Sequence, residues 1–292
     1  MQYDVAIIGG SYAGLSAALP LARARRSVVV IDHGQRRNRF ASHSHGFLTQ
    51  DGTLASEIAE IAREQISRYS TVQFETGQVL DVAKSNDLFH VCIDKIHAIT
   101  AKRIIIATGV TDQLPEIQGL RERWGQSIFH CPYCHGYELN QGQIAVINSS
   151  EFSTHQAMML PDWGQVTFLS NGKNLTDEER KQLASKNIPI IDDEIAEISE
   201  HATINLQSSA SQQFDGIFVS SATRILQDWI KALGVEIESN GVGEWIKTDA
   251  MKQTSMDGVF ASGDVIRFGG SVPLSVADGN LAGVSAHRSL IF

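Results

Sequence analysis

The chain has 292 residues, 42% hydrophobic and 20% charged, which at about 150 residues per domain is enough for two domains. Its 24 Lys and Arg against 33 Asp and Glu leave a formal charge of −9, which argues against nucleic acid or an anionic membrane as a partner. Three cysteines do not make a disulfide framework, no apolar run approaches the roughly 18 residues that cross a bilayer, and the first residues read as a strand and not a leader, so a reducing, cytoplasmic location is expected.

The run DVAIIG at 4–9 reads as a strand leading into a helix from about Ala13 to Arg25. A second strand follows at 27–32, then a helix at 53–69 in which Leu54, Ile58, Ile61, Ala62, Ile66 and Tyr69 recur at helical spacing. Strands are expected at 72–77, 88–94 and 103–109, and the polar stretch 108–119, with Pro115 between bounding glycines, reads as a crossing linker. A second alternation runs through strands at 143–148, 165–170, 188–192, 202–207 and 214–219, with helices near 152–160 and 176–186. A second crossing falls near 243–255, and the chain closes with a strand at 258–264 and a helix at 274–290. β-Branched runs alternating with helices predict parallel, doubly wound sheets. The expected fold is α/β with two Rossmann-like, three-layer domains. One is split between 1–112 and 250–292, and the other, 118–243, is inserted between the halves.

The segment VAIIGGSYAGLSAAL at 5–19 is a strand, a glycine turn and a helix. A G-x-G-x-x-G pattern lets the backbone approach a pyrophosphate while the helix N-terminus faces it. Gly9 and Gly14 match, and Ser11 takes the middle place. Asp32 ends the next strand, 18 residues past Gly14, where a carboxylate accepts from ribose hydroxyls. A tight turn in any α/β protein would also read this way. Two further strands end suggestively: IIIATG at 104–109 in small residues, and GVFASGD at 258–264 in an acid.

This set resembles the FAD-binding core of two-dinucleotide-domain flavoprotein reductases. The resemblance implies FAD held by Gly9, Ser11, Ala13, Gly14 and Asp32, with Val79, Thr108 and Gly109 in contact. It implies Asp264 near the ribityl and phosphate part, and a helix start at Ser271 and Val272 aimed at the flavin pyrimidine edge. Arg37 and Asn38, within RRNR at 36–39, are either donors to the adenosine side or part of a solvated basic loop. His45 and Asp51, in the loop 42–52, either contact cofactor or substrate or lie on a polar surface.

HCPYCHGYE at 130–138 holds two of the three cysteines. A structural zinc site wants four ligands, and the third cysteine, Cys92, sits in an alternating strand where it reads as a small buried hydrophobe. No metal is therefore expected, and the readings left are two inert thiols or a redox dithiol. Pro132 fits a first helical position, which would put the thiols at a helix start that lowers their pKa. His135 either exchanges protons near neutral pH or is an ordinary surface histidine.

The order of motifs resembles the prokaryotic-type thioredoxin reductases, whose Cys-x-x-Cys opens the inserted domain. That resemblance implies Cys134 facing the flavin C4a position, Cys131 as the interchange thiol, a rotating inserted domain and a homodimer. His135 stands where that group carries an Asp. CPYCHGYE is similar in this to the gliotoxin- and holomycin-type dithiol oxidases. The catalytic set is then Cys131, Cys134 and His135, and the partner is a thioredoxin-like protein or a small-molecule dithiol or disulfide.

The inserted domain should also carry a glycine fingerprint for NADPH. Asn148, Ser150 and Ser153 stand there instead, and Lys173 is the only early cation after the next strand. NADPH is expected to bind poorly or not at all. Electrons would then enter from ferredoxin or another flavin donor, or leave to oxygen. A non-catalytic flavin-binding redox sensor is the remaining reading.

Overall fold

The computed structural model describes residues 1–94 and 97–292. Six strands from the start of the chain share one sheet: β1 (Gln2–Ile8), β2 (Val28–Asp32), β3 (Val72–Thr76), β4 (Val79–Ser85), β5 (Leu88–Ile93) and β6 (His97–Ile106). They lie in the order β3-β2-β1-β6-β5-β4. The β1, β2, β3 and β6 pairings are parallel, as expected. β4, β5 and β6 run antiparallel, which corrects the all-parallel expectation. Asn86 and Asp87 form a two-residue loop between Ser85 and Leu88, with Asn86 at φ 54°. A loop that short can only fold the chain back beside itself. β4 went unread because a bulge between Val79 and Asp81 breaks the two-residue period, so that Val79 and Val82, three apart, both point into the core.

α1 (Tyr12–Arg23) and α2 (Ala55–Ser67) flank this sheet. Side chains alternate across it with the two-residue period of a strand. Ala6, Ile8, Ile104 and Ile106 enter one apolar layer, while Val5, Ile7 and Ile105 enter the other.

The first crossing is not a plain linker. It contains the strand Thr111–Gln113, paired antiparallel with Ala222–Arg224, so the two connections form one hinge ribbon and the return crossing falls there, not near 243–255: Ile225, Trp229, Ile230 and Val235 already pack in the first domain's core. Between them lies a second sheet of β7 (Ile128–Phe129), β8 (Gln143–Ile147), β9 (Gln165–Leu169), β10 (Ile190–Ile191) and β11 (Gly216–Val219). Its order is β7-β11-β8-β9-β10 and every pairing is parallel. α3 (Ser153–Met159) and α4 (Asp177–Ser185) pack against it. The expected strand at 202–207 belongs instead to an antiparallel meander of Ile195–Ser199, Thr203–Leu206 and Ser211–Gln213.

The chain then rejoins the first sheet. β12 (Val259–Ala261) pairs in parallel with β6. α5 (Val272–Ser289) lies on α1, where Ala13 and Ala17 meet Gly279 and Gly283. A Cβ on either glycine would stand 2.1 or 2.3 Å from the α1 carbonyl oxygens, so only glycine permits this approach. Ser16 Oγ donates to the Val276 carbonyl at 2.6 Å across the same seam. The fold is α/β with two Rossmann-like domains, and both ends of the chain share one sheet. Among the described residues no helix is long and apolar enough to cross a membrane.

Candidate functional site

The first cradle forms where β1 meets α1. Gly9 has φ +110°, and a Cβ there would lie 2.2 Å from the Ala107 carbonyl oxygen. Gly14 approaches Gly9 so closely that a Cβ would sit 1.8 Å from the Gly9 oxygen. Ser11 is the N-cap of α1, yet its hydroxyl makes no capping bond, so it is free at the helix start. Ala13 is buried in the first turn. Asp32 ends β2 against the Gly10 backbone, and its carbonyl accepts from Gly77 N–H at 3.0 Å. Val79 lies two residues beyond Gly77, its side chain spent in the core. Thr108 and Gly109 follow the end of β6, half-buried. Asp264 sits in a short 3-10 turn after β12 and accepts from Ser275 Oγ at 3.2 Å. Ser271 caps α5, accepting from Leu274 N–H at 3.3 Å, and Val272 and Pro273 open the helix.

This cradle fits FAD. A glycine turn stands at the N-terminus of a 12-residue helix beside a carboxylate. Two buried oxygens near it lack a protein partner, Asn38 Oδ1 and Ser262 Oγ. Asn38 Nδ2 donates to the Tyr12 hydroxyl at 3.0 Å, which holds it at the start of α1.

Arg37 is placed differently from the expected adenosine-side donor. Its Nε and Nη2 donate to Asp112 at 2.8 and 2.7 Å, and its Nη1 donates to Asp264 at 2.8 Å. Burial opposes the guanidinium charge, but the two carboxylates raise its pKa nonetheless. Burial likewise opposes the Asp112 charge, and the Arg37 contact holds its carboxyl below the usual range. Asp112 is a site residue that sequence reading passed over. Its only mark was an acid within a polar crossing, and its partners come from positions 37 and 221.

The cysteines lie just past β7. Cys131 caps a single helical turn, Pro132–His135, and is disulfide-bonded to Cys134 with the Cα atoms 5.4 Å apart. Pro132 takes the first helical position, as read. The turn is too short to carry the helix dipole invoked for these thiols, since aligned peptides must sum over several turns. Tyr133 is exposed and packs edge-on against Trp163 at 5.3 Å. His130 stacks on Trp124 at 5.8 Å, and its carbonyl accepts from Gln156 Nε2 at 2.7 Å. Two of the four tryptophans therefore flank the disulfide turn. Cys92 is half-buried in β5, not fully buried, and its thiol donates to the Asp94 carbonyl at 3.2 Å. Among the described residues no group of three or more His, Cys, Asp or Glu is placed to hold a metal ion.

His135 lies flat on Phe129, ring centroids 4.3 Å apart, and both ring nitrogens are buried without a protein partner. Burial, with His130 nearby, pulls its pKa down to about 4. It therefore stands neutral at pH 7, which corrects the expectation of titration near neutrality. Burial and the Arg37 charge bring His130 to about 4 as well, against the carboxylates of Asp112 and Asp264. The residue before Cys131 thus lies in the field of the FAD-side acid.

A profile described as pyridine nucleotide-disulphide oxidoreductase matches residues 3–279. The chain belongs to that family. Thioredoxin reductase tcpT of Claviceps purpurea (strain 20.1) is 31% identical, over 99% of this chain and 94% of its own. Thioredoxin reductase sirT of Leptosphaeria maculans is 29% identical, over 90% and 86%. The crystal structure of an oxidoreductase from Agrobacterium tumefaciens superposes with a TM-score of 0.97 at 52% identity, over 100% of this chain and 99% of that one. The protein is a thioredoxin reductase-like, flavin-dependent disulfide oxidoreductase.

Two other regions of the oxidoreductase bear on its site. In the loop 42–52, His45 Nδ1 lies 3.5 Å from Asp51, and its Nε2 lies 3.5 Å from Glu138, four residues past Cys134. Asp51 also accepts from Gly46 N–H at 2.8 Å. The loop is thereby tied to the disulfide segment. In the β8–α3 turn, Ser149 N–H and Ser150 N–H both donate to Ser153 Oγ at 3.0 Å. Phe152 N–H donates to Ser150 Oγ at 3.1 Å.

Proposed function

We propose that the Cys131–Cys134 pair exchanges electrons between FAD and a dithiol or disulfide partner, and that NADPH is not the electron donor. The observation that carries this is the nearness of the disulfide segment to cofactor-side residues: His130 in the field of Arg37 and Asp264, and Glu138 3.5 Å from His45. The FAD-holding residues in this proposal are Gly9, Ser11, Ala13, Gly14, Asp32, Asn38, Val79, Thr108, Gly109, Asp264, Ser271 and Val272, with Arg37 holding Asp264 and His45 the adjoining loop. Bound FAD supplies two-electron acceptance from, or donation to, the dithiol.

In the oxidising direction a partner thiolate attacks Cys131 Sγ, breaks the Cys131–Cys134 bond and forms a mixed disulfide. The second partner thiol then displaces Cys131. The partner leaves as a disulfide, two electrons lighter, and Cys131 and Cys134 hold them as thiols. His135, neutral and next to Cys134 in the chain, is the proposed acceptor of the proton the dithiol releases, a transfer its low pKa of about 4 makes uphill. A dithiol oxidase passing electrons to oxygen is the second reading, beside a reductase fed by ferredoxin or another donor. The partner is a thioredoxin-like protein or a small-molecule dithiol. A first domain limit at 112/118, a return at 222–224 in place of 243/250, a homodimer and a cytoplasmic setting complete the proposal.

Anaerobic addition of dithiothreitol to the FAD-loaded protein should bleach the flavin band at about 450 nm. Cys131→Ser and Cys134→Ser should abolish that bleaching, and NADPH should not cause it. Rapid bleaching by NADPH, or by dithiothreitol in both serine variants, would overturn the proposal. Oxygen uptake with dithiol present separates the oxidase from the reductase.

A further inference from the structure

We infer that the inserted lobe is closed to dinucleotides by its own hydroxyls: Ser153, with Ser150, occupies the backbone amides that a pyrophosphate needs. These serines are specificity-determining residues for the electron donor. The inference rests on the reading that NADPH is not the donor, and adds the atoms responsible.

A dinucleotide fold holds pyrophosphate on free N–H groups in the turn between its first strand and the following helix. In the β8–α3 turn three of those groups, at 149, 150 and 152, are taken by serine hydroxyls. Ser153 Oγ accepts from both Ser149 N–H and Ser150 N–H at 3.0 Å, as a phosphate oxygen would, and Ser153 is fully buried. Ser150 Oγ accepts from Phe152 N–H at 3.1 Å. The hydroxyls are themselves anchored. Ser149 Oγ donates to the Ser220 carbonyl at 2.9 Å, and Ser150 Oγ donates to Ser220 Oγ at 2.8 Å.

Phe152, the residue before α3, makes no side-chain bond; the turn ahead of it is closed by Ser150, whose Oγ accepts from Phe152 N–H and whose carbonyl accepts from Ser153 N–H at 3.1 Å. α3 has seven residues, so its dipole adds little attraction for an anion. Phe152 also packs against Phe268 of the FAD half, ring centroids 5.9 Å apart, which covers the turn from that side. Ser221, next to the anchoring Ser220, donates to Asp112 at 2.9 Å, so the plugged turn adjoins the hinge ribbon and the Arg37 cluster. Among the described residues nothing nearby replaces the cations that would read a 2′-phosphate. Arg180 is committed to Asp192 through two bonds of 2.9 and 3.0 Å, and Lys173 stands alone in that stretch.

The test uses the full-length, FAD-loaded protein with inorganic pyrophosphate, NADH and NADPH as probes in calorimetric titrations. Ser153→Ala removes one buried oxygen and frees two amides. The triple variant Asn148→Gly, Ser150→Gly, Ser153→Ala restores the small-residue pattern. The wild type is expected to bind none of the probes below millimolar concentration. Ser153→Ala should bind pyrophosphate at least about tenfold tighter than wild type, the yield of two freed donors. The triple variant should bind NADH and NADPH alike. Hydrogen exchange at amides 149 and 150 should accelerate in Ser153→Ala with flavin content unchanged. Wild-type binding at micromolar nucleotide would sink the donor reading and this inference together. A silent wild type with equally silent variants, or unchanged exchange at both amides, would overturn this inference alone.

Discussion

His135 is the residue whose surroundings change its meaning most. In sequence it is a histidine beside a cysteine, and a free imidazole titrates near neutrality. Stacked on Phe129 with both nitrogens buried, it is held to about 4 and is a neutral base at working pH. His135→Phe should keep the stack and remove the base. Dithiol-driven flavin reduction should slow by at least about 10²-fold, with flavin content and melting temperature little changed. Wild-type rates in that variant, from stopped-flow absorbance, would remove His135 from the chemistry. Arg37 shows the opposite case, where the residue was noticed and its partners were not. The basic run was visible, but two carboxylates at 112 and 264 turn it inward to join the cradle acid to the hinge.

At the scale of elements, local spacing carried the reading far. The glycine turn, the strands β1, β2, β8 and β9, and both long helices were legible because period and turn chemistry are properties of neighbouring residues. The β4–β6 meander was not, because its hairpin hides in a charged stretch and strand direction depends on loop length more than on composition. The α1–α5 seam was also hidden. Gly279 and Gly283 look like weak helix residues until α1 lies over them. Gly283→Leu should force the helices apart and cost about 1–3 kcal/mol of overpacking strain, read as a lower urea midpoint and loss of bound flavin. An unchanged midpoint with full flavin content would contradict the close crossing.

For the whole molecule, the inward histidines make stability depend on pH. His130 and His135 sit at about 4 in the folded protein, against 6.5 for the free side chain. As pH falls below about 6.5 the unfolded chain binds protons that the folded one refuses, so stability is present above that value and is lost toward about pH 4. The slope is at most about 1.4 kcal/mol per pH unit for each histidine, less in so far as both rings keep some contact with solvent. Urea midpoints should therefore drop between about pH 7 and pH 5. A flat profile in wild type, or an undiminished drop in a His130→Phe, His135→Phe double variant, would show that other groups govern acid sensitivity.

By itself the sequence determined the α/β class, the split of one domain around another, the glycine cradle with Asp32, the Cys-Pro-Tyr-Cys-His motif and the absence of a second glycine fingerprint. These are written in spacing along the chain, and backbone geometry reads spacing directly. Only the tertiary structure decided that Asp112 joins Arg37 and Asp264, that Trp124 and Trp163 brace the disulfide turn, and that serine hydroxyls fill the place the missing glycines left. Those contacts join residues far apart in the chain, and only the folded path sets which side chain meets which.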